Sequence, residues 1–155
     1  MDKNLKTVNL LIDRYGYYAY LIRLNKSIRC ECVNPSTKEP YDLCKKCLGT
    51  GYQIQISKIW MATREANDNE SHIIQSFSVT PKVAYLKGLV DVHKDDLIVD
   101  SENVYMIFAF QHHRGCKGHQ AFTRCICPDL KLNRMKFLKL FKEVLNEHLQ
   151  NNKRK

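Results

Sequence analysis

Nowhere do apolar residues run for the roughly eighteen positions that a membrane-spanning helix needs. The runs that exist, such as Tyr105–Phe110, are short, so no membrane partner is expected. The opening residues, MDKNLKTVNLL, carry charge without the long apolar stretch or small-residue cleavage site of a secretory leader. Only six glycines occur, and none form a phosphate-cradling loop. Internal repeats and low-complexity tracts are missing too. Acidic residues are outnumbered, 16 against 25 Lys and Arg, giving a formal net charge of +9. The adjacent carboxylates Asp95–Asp96 sit beside an apolar run and read as turn residues rather than an acid/base pair.

What is present suits one domain, or one domain with a small module set into it. The chain has 155 residues, and 44% are apolar, including eight Tyr and six Phe. That supports a folded core rather than a disordered chain. A core of this size is modest, so a metal clip over a long loop would help. The positive charge is spread out, with local concentrations at Lys131–Lys142 and Lys153–Lys155. Such a balance serves solubility and acidic protein partners, or diffuse attraction to nucleic acid.

Leu5, Val8, Leu11 and Ile12 recur at helical spacing, and Gly16 offers a left-handed stop. Tyr17–Leu24 reads as a strand. After the cysteine segment, Tyr52, Ile54 and Ile56 alternate with polar residues, as in a half-buried strand. Thr63–Ser71 reads as a surface loop. Phe77–Val83, Val90–Val92, Leu97–Val99 and Val104–Phe110 are candidate strands, with turns at Lys87–Gly88 and Ser101–Asn103. The period then changes: Phe137, Leu138, Phe141, Val144, Leu145 and Leu149 share one helix face. Lys136, Lys139, Lys142, Glu143 and Glu147 lie opposite, and Asn133 is placed to cap. The expected fold is mainly β with flanking helices (α+β). It would be a small β-barrel or sandwich with a zinc knuckle inserted at residues 28–52 and an amphipathic C-terminal helix at 133–149.

The strongest chemical pattern is Cys30-Glu31-Cys32 followed by Cys44-Lys45-Lys46-Cys47. Two short chelating pairs about a dozen residues apart can close a tetrahedral thiolate site. Four soft thiolates point to zinc or iron–sulfur, and zinc is preferred because nothing nearby suggests electron transfer. Four protein ligands leave no open position for water, so the expected zinc is structural and the chain is not expected to be an enzyme. Gly49 and Gly51 would let the backbone bend around the metal-bound sulfur. The phrase resembles the cysteine-and-glycine zinc module of heat-shock co-chaperones, but it occurs once instead of four times. A reducing compartment suits these thiols.

A second group, His112, His113, Cys116, His119, Cys125 and Cys127, lies within sixteen residues. It reads either as a second metal site or as a polar loop whose cysteines partly face the core. Its spacings match no familiar zinc framework.

The segment Ile28–Cys32, Asn34–Tyr41 and Cys44–Tyr52 resembles a module of the small head–tail connector proteins of tailed bacteriophages. In that module a strand ends at a cysteine pair, turns, and returns as Cys-x-x-Cys-x-Gly-Thr-Gly. The phrase from Lys87-Gly88 through Lys94–Asp100, the Tyr105 strand and His113-Arg114-Gly115 through Gln120 are similar to the same family. The resemblance spans roughly Leu10 to Cys127. It implies a small barrel with flanking helices in a homo-oligomeric ring at the virion neck, beneath the portal, closing the packaged head and joining it to the tail. The subunit would be made in the host bacterial cytoplasm and would meet portal or adaptor and tail-side proteins, with non-specific contact to packaged DNA. Cys30, Cys32, Cys44 and Cys47 would be the zinc ligands, and Asp96 would start a core strand. Cys116, Cys125, Cys127 and Lys94 depart from the pattern, and leave open a head-proximal or tail-proximal place. The alternative function is a zinc-ribbon nucleic-acid-binding or transcription accessory protein.

Overall fold

The computed structural model describes residues 2–67, 81–115, 120–128 and 134–152. Helix α1 (Asp2–Tyr15) is followed by strands β1 (Tyr17–Arg29), β2 (Tyr52–Glu65), β3 (Lys82–Lys87), β4 (Leu97–Val99), β5 (Val104–Met106), β6 (Ala109–His113) and β7 (Phe122–Cys127). Helix α2 (Arg134–Asn152) comes last. All strand pairings are antiparallel, in the order β5-β4-β1-β2-β3-β7-β6.

The outermost strands β5 and β6 are separated in sequence only by Ile107 and Phe108. Laid flat, six inter-strand spacings would hold them about 29 Å apart. The three residue steps from Met106 to Ala109 reach about 10 Å. The sheet is therefore strongly rolled. Ile107 exchanges backbone bonds with the start of β4: its N–H donates to Asp96 O and its C=O accepts from Asp95, each 2.8 Å. Phe108 N–H donates to Ile126 O on β7 at 3.0 Å. The expected closed barrel or two-layer sandwich is replaced by this single open sheet. No ladder joins β5 to β6, because they are successive parts of one bent segment that serves both edges.

Alternation along the strands sorts the core into three groups. Ala19, Leu21, Ile59, Met61, Ala84, Leu86, Ile98 and Cys125 fill the concave interior. On the convex side, α1 packs Ile12 over Ala62, Val83, Tyr85 and Phe122. Helix α2 packs Leu138, Leu140, Phe141 and Val144 over Ile22, Leu97, Val99 and Val104. Leu140 is thus a core residue, whereas Leu149 is 57% exposed rather than on the buried face. Asn133 lies outside the described residues.

Several strands differ from the sequence reading. β1 runs five residues past Leu24, where β2 pairs with Asn25 and Arg29 across a register irregularity that leaves the three residues between them without a ladder partner. β2 also continues through Thr63 to Glu65, held by β3. Val90–Val92 forms no ladder. Val92 is buried instead from a loop, where Val90 N–H donates to the buried Thr123 hydroxyl at 3.0 Å. Val104–Phe110 splits where it changes partner. β7 was missed because Thr123-Arg124-Cys125 masks its alternation. Of Phe77–Val83 and Thr63–Ser71, residues 77–80 and 68–71 lie outside the described residues.

The loop before β4 is held by charge. Asp96, only 2% exposed, accepts the His93 N–H at 2.8 Å and lies 3.6 Å from Arg23 Nε. Arg23 also bonds the Asp91 carboxylate at 2.8 Å, and Lys26 bonds Asp95 at 2.6 Å. Asp96, expected to start a core strand, instead immediately precedes β4, and its contacts tie the loop to β1.

Gly16 has a role other than a left-handed stop, since its φ is not positive. Its N–H donates to Ile12 O at 3.1 Å, and the same oxygen accepts Trp60 Nε1–H at 3.0 Å. A Cβ here would lie 2.2 Å from both Ile12 O and Trp60 Nε1. Gly16→Ala should therefore destabilise the fold by about 1–3 kcal/mol. Urea denaturation followed by tryptophan fluorescence checks this, since the only tryptophan is at the contact.

Candidate metal centre

β1 and β2 form a hairpin whose base is buried and whose outer half leaves the sheet. β1 pairs β4 only over Tyr20–Ile22, and β2 pairs β3 only from Met61 onward. Beyond the irregular register at Asn25/Arg29, the strands end at Arg29 and Tyr52 and hold residues 30–51 between them. Ile28, Arg29 and Tyr52, counted with the knuckle on sequence grounds, belong to the strands. Cys30 N–H donates to Gly51 O at 2.9 Å and continues the hairpin by one bond.

Each arm of the knuckle turns on local bonds. The Asn34 side chain accepts the N–H groups of Ser36 and Thr37, and Lys38 takes a φ of 63°. On the second arm, Cys44 N–H donates to Tyr41 O, and Thr50 N–H and Oγ1–H both donate to Cys47 O. Leu48, Gly49 and Gly51 have φ of 53°, 75° and 80°. A Cβ on Gly49 would sit 2.7 Å from Asp42 O, so glycine is required there twice over.

These turns bring all four sequence-predicted ligands, Cys30, Cys32, Cys44 and Cys47, together with Sγ atoms within 4.8 Å of one another. Across the arms, Cys30–Cys44 is 3.8 Å and Cys32–Cys47 is 3.5 Å. A tetrahedral site with Zn–S near 2.3 Å has S···S edges of about 3.8 Å, so the cluster has the dimensions of a structural zinc site. Cys47 is buried and the other three are half-buried. Burial pushes the Cys47 thiol up to about 12, only partly opposed by the Gly51 backbone. Burial also acts upward on Cys44, but the Cys47 backbone, the Cys32 thiol and the Lys46 backbone outweigh it and bring Cys44 down to about 7. With four protein ligands, the cluster can hold a zinc ion and brace the two arms, and offers no position for a metal-bound water.

Leu48 was not singled out by sequence reasoning. It is 3% exposed and packs in the same group as Leu138, Phe141 and Val144 of α2. Next to it, Lys45 reaches Glu147 and Glu143 of that helix. The knuckle therefore folds back onto α2. An apolar residue between a zinc cysteine and a glycine was the available signal, but its docking surface lies about ninety residues later in the chain.

The second group does not assemble as a metal site among the described residues. Cys125 and Cys127 are fully buried in or beside the concave core, and burial raises both thiols, Cys125 to about 12. His112 Nδ1 lies 3.0 Å from the Thr123 hydroxyl, and His113 stacks on Phe122 at 4.6 Å. Burial and then Arg124 lower the His113 pKa. Cys116 and His119 lie outside the described residues. No protein-family model matches the chain, and no curated protein matches it.

Elemental analysis should find one zinc per chain, and Cys32→Ala should lose it. Because thiolates must be deprotonated to bind, zinc should leave as pH falls below neutral and return when it is raised. A zinc-chelation dye assay across pH 7 to 5 reads this. Chelation should also speed amide exchange in α2, not only in residues 30–51, because Leu48 links the two. Leu48→Ala should cost about 2–5 kcal/mol in denaturant unfolding while leaving one zinc bound.

Proposed function

We propose that this chain is a structural, non-catalytic subunit of the neck of a tailed bacteriophage, one of a ring of identical copies that closes the DNA-filled head and joins it to the tail. The observation that carries the reading is the closed four-cysteine cluster at the end of a long two-stranded arm, docked through Leu48 onto α2. A pinned arm loses little freedom when it meets a neighbour, which lowers the ordering cost of assembly. The proposed place in the virion rests on the resemblance of residues 28–52 to the connector module. Portal or adaptor proteins would lie on one side and tail proteins on the other. Spread positive charge would meet packaged DNA without reading its sequence.

The zinc-ribbon alternative has less support from the charges. Lys26, Lys45, Lys46, Lys82 and Lys87 each face a carboxylate of the same chain. A nucleic-acid reader would gain by leaving such cations free for phosphate.

Cryo-electron microscopy of intact particles tests the proposal. The expected result is density for this fold, knuckle included, in a symmetric ring between portal and tail. Absence of the chain from purified virions would overturn it. Tight, sequence-selective DNA binding by the free protein, falling steeply with salt, would favour the alternative.

A further inference from the structure

Outside its contact with β3, strand β2 has no ladder partner on that edge among the described residues. The Ala66 N–H donates to Pro81 O at 2.9 Å, continuing the β2–β3 ladder. In an antiparallel ladder backbone groups point alternately to the two neighbours, so even-numbered residues of β2 face the β3 side. The bond from Cys30 N–H to Gly51 O agrees, placing an odd-numbered residue toward β1. Since β3 begins its register at Met61, Ile54, Ile56 and Lys58 turn N–H and C=O groups outward with no backbone partner among the described residues. Exposed edges are usually blunted by proline, a bulge or several charges. Over this stretch β2 has neither proline nor bulge, and one lysine.

A cavity of about 630 Å³ opens on these residues. Ile54, Ile56, Val144 and Leu145 supply apolar lining, and Lys58 and His148 add cationic or polar groups. Lys58 sits 4.0 Å from the centre of the Tyr18 ring and has no carboxylate partner among the described residues. An extended segment added to this edge would alternate its side chains in step with β2. Those opposite Ile54 and Ile56 would be apolar, and one near Lys58 would be acidic.

We infer that the Ile54–Lys58 edge docks an extended segment of an acidic protein partner, which adds to the sheet as a further strand. Backbone bonding supplies the attachment, and the alternation of apolar and acidic side chains supplies the choice of partner. The net charge of +9 favours an acidic chain over a second copy, which would bring its own lysines to the same line. The inference is independent of the virion reading.

The test uses the full zinc-loaded chain and a synthetic ten-residue peptide of alternating valine and threonine with glutamates at both ends. Amide exchange is followed by nuclear magnetic resonance. At saturating peptide, the Ile54, Ile56 and Lys58 amides should exchange about tenfold more slowly. The same peptide N-methylated at alternate residues should have no such effect, and Lys58→Glu should weaken binding about tenfold. Zinc content and the unchanged spectrum of the concave core establish that the variant is folded. The inference is overturned if millimolar peptide leaves these amides unprotected, or if the N-methylated peptide protects them equally. It is also overturned if they are already protected in the free protein, whether by the chain itself or by a second copy seen as a doubled mass in solution.

Discussion

Ile107 and Phe108 carry the chain from one edge of the sheet to the other, and most of the architecture follows from how short that crossing is. Two residues cannot span a flat seven-stranded sheet, so the strands roll until β4 and β7 lie on either side of one bent segment. Rolling creates a concave interior, where Met61, Leu86, Ile98 and Ile107 are fully buried without a second sheet. It also leaves a convex surface that needs covering. α1 and α2 divide that task, one over β2–β3–β7 and the other over β1–β4–β5. The inner half of the β1–β2 hairpin is part of this body, while its outer half pairs with no further strand among the described residues.

The outer half is where the metal matters. Residues 30–51 bury few side chains, and their backbone takes left-handed conformations at Lys38, Leu48, Gly49 and Gly51. For a non-glycine residue such as Leu48 that conformation costs about 1–3 kcal/mol. Burying its side chain against α2 returns about 1.5–3 kcal/mol. The two nearly offset, so docking alone does not hold the knuckle. A zinc ion held by the four thiolates would decide the balance, since its binding free energy in small zinc modules is about 10 kcal/mol or more. Leu48, packed against α2, would pass this local effect on to the helix.

The charges divide by environment. At the base of the arm, Asp96 is buried and Arg23 half-buried, and the bonds of Arg23 to Asp91 and its approach to Asp96 tie the loop before β4 to β1. The exposed pairs, Lys46–Glu31 and Lys45–Glu147 among them, add little stability but neutralise much of the knuckle's surface. The excess positive charge is therefore less concentrated than the composition suggests.

The sequence by itself determined the metal cluster. Ligand chemistry and spacing are local: two close cysteine pairs followed by glycines specify a four-thiolate site whatever surrounds it. Periodicity likewise marked the two helices and the β-rich character of the middle. Tertiary structure decided what depends on distant partners. Whether Val104–Phe110 is one strand or two rests on which neighbours it meets, and those come from opposite ends of the strand order. Cys125 and Cys127 looked like ligands because histidines lie near them in sequence, yet their alternation turns both thiols into the interior. Gly16 was read from its own conformational freedom, but it is needed because Trp60, forty-four residues away, approaches too closely for a Cβ. Leu48 shows locally only as an apolar residue between Cys47 and Gly49, because the surface that buries it is completed only when α2 returns over the rolled sheet.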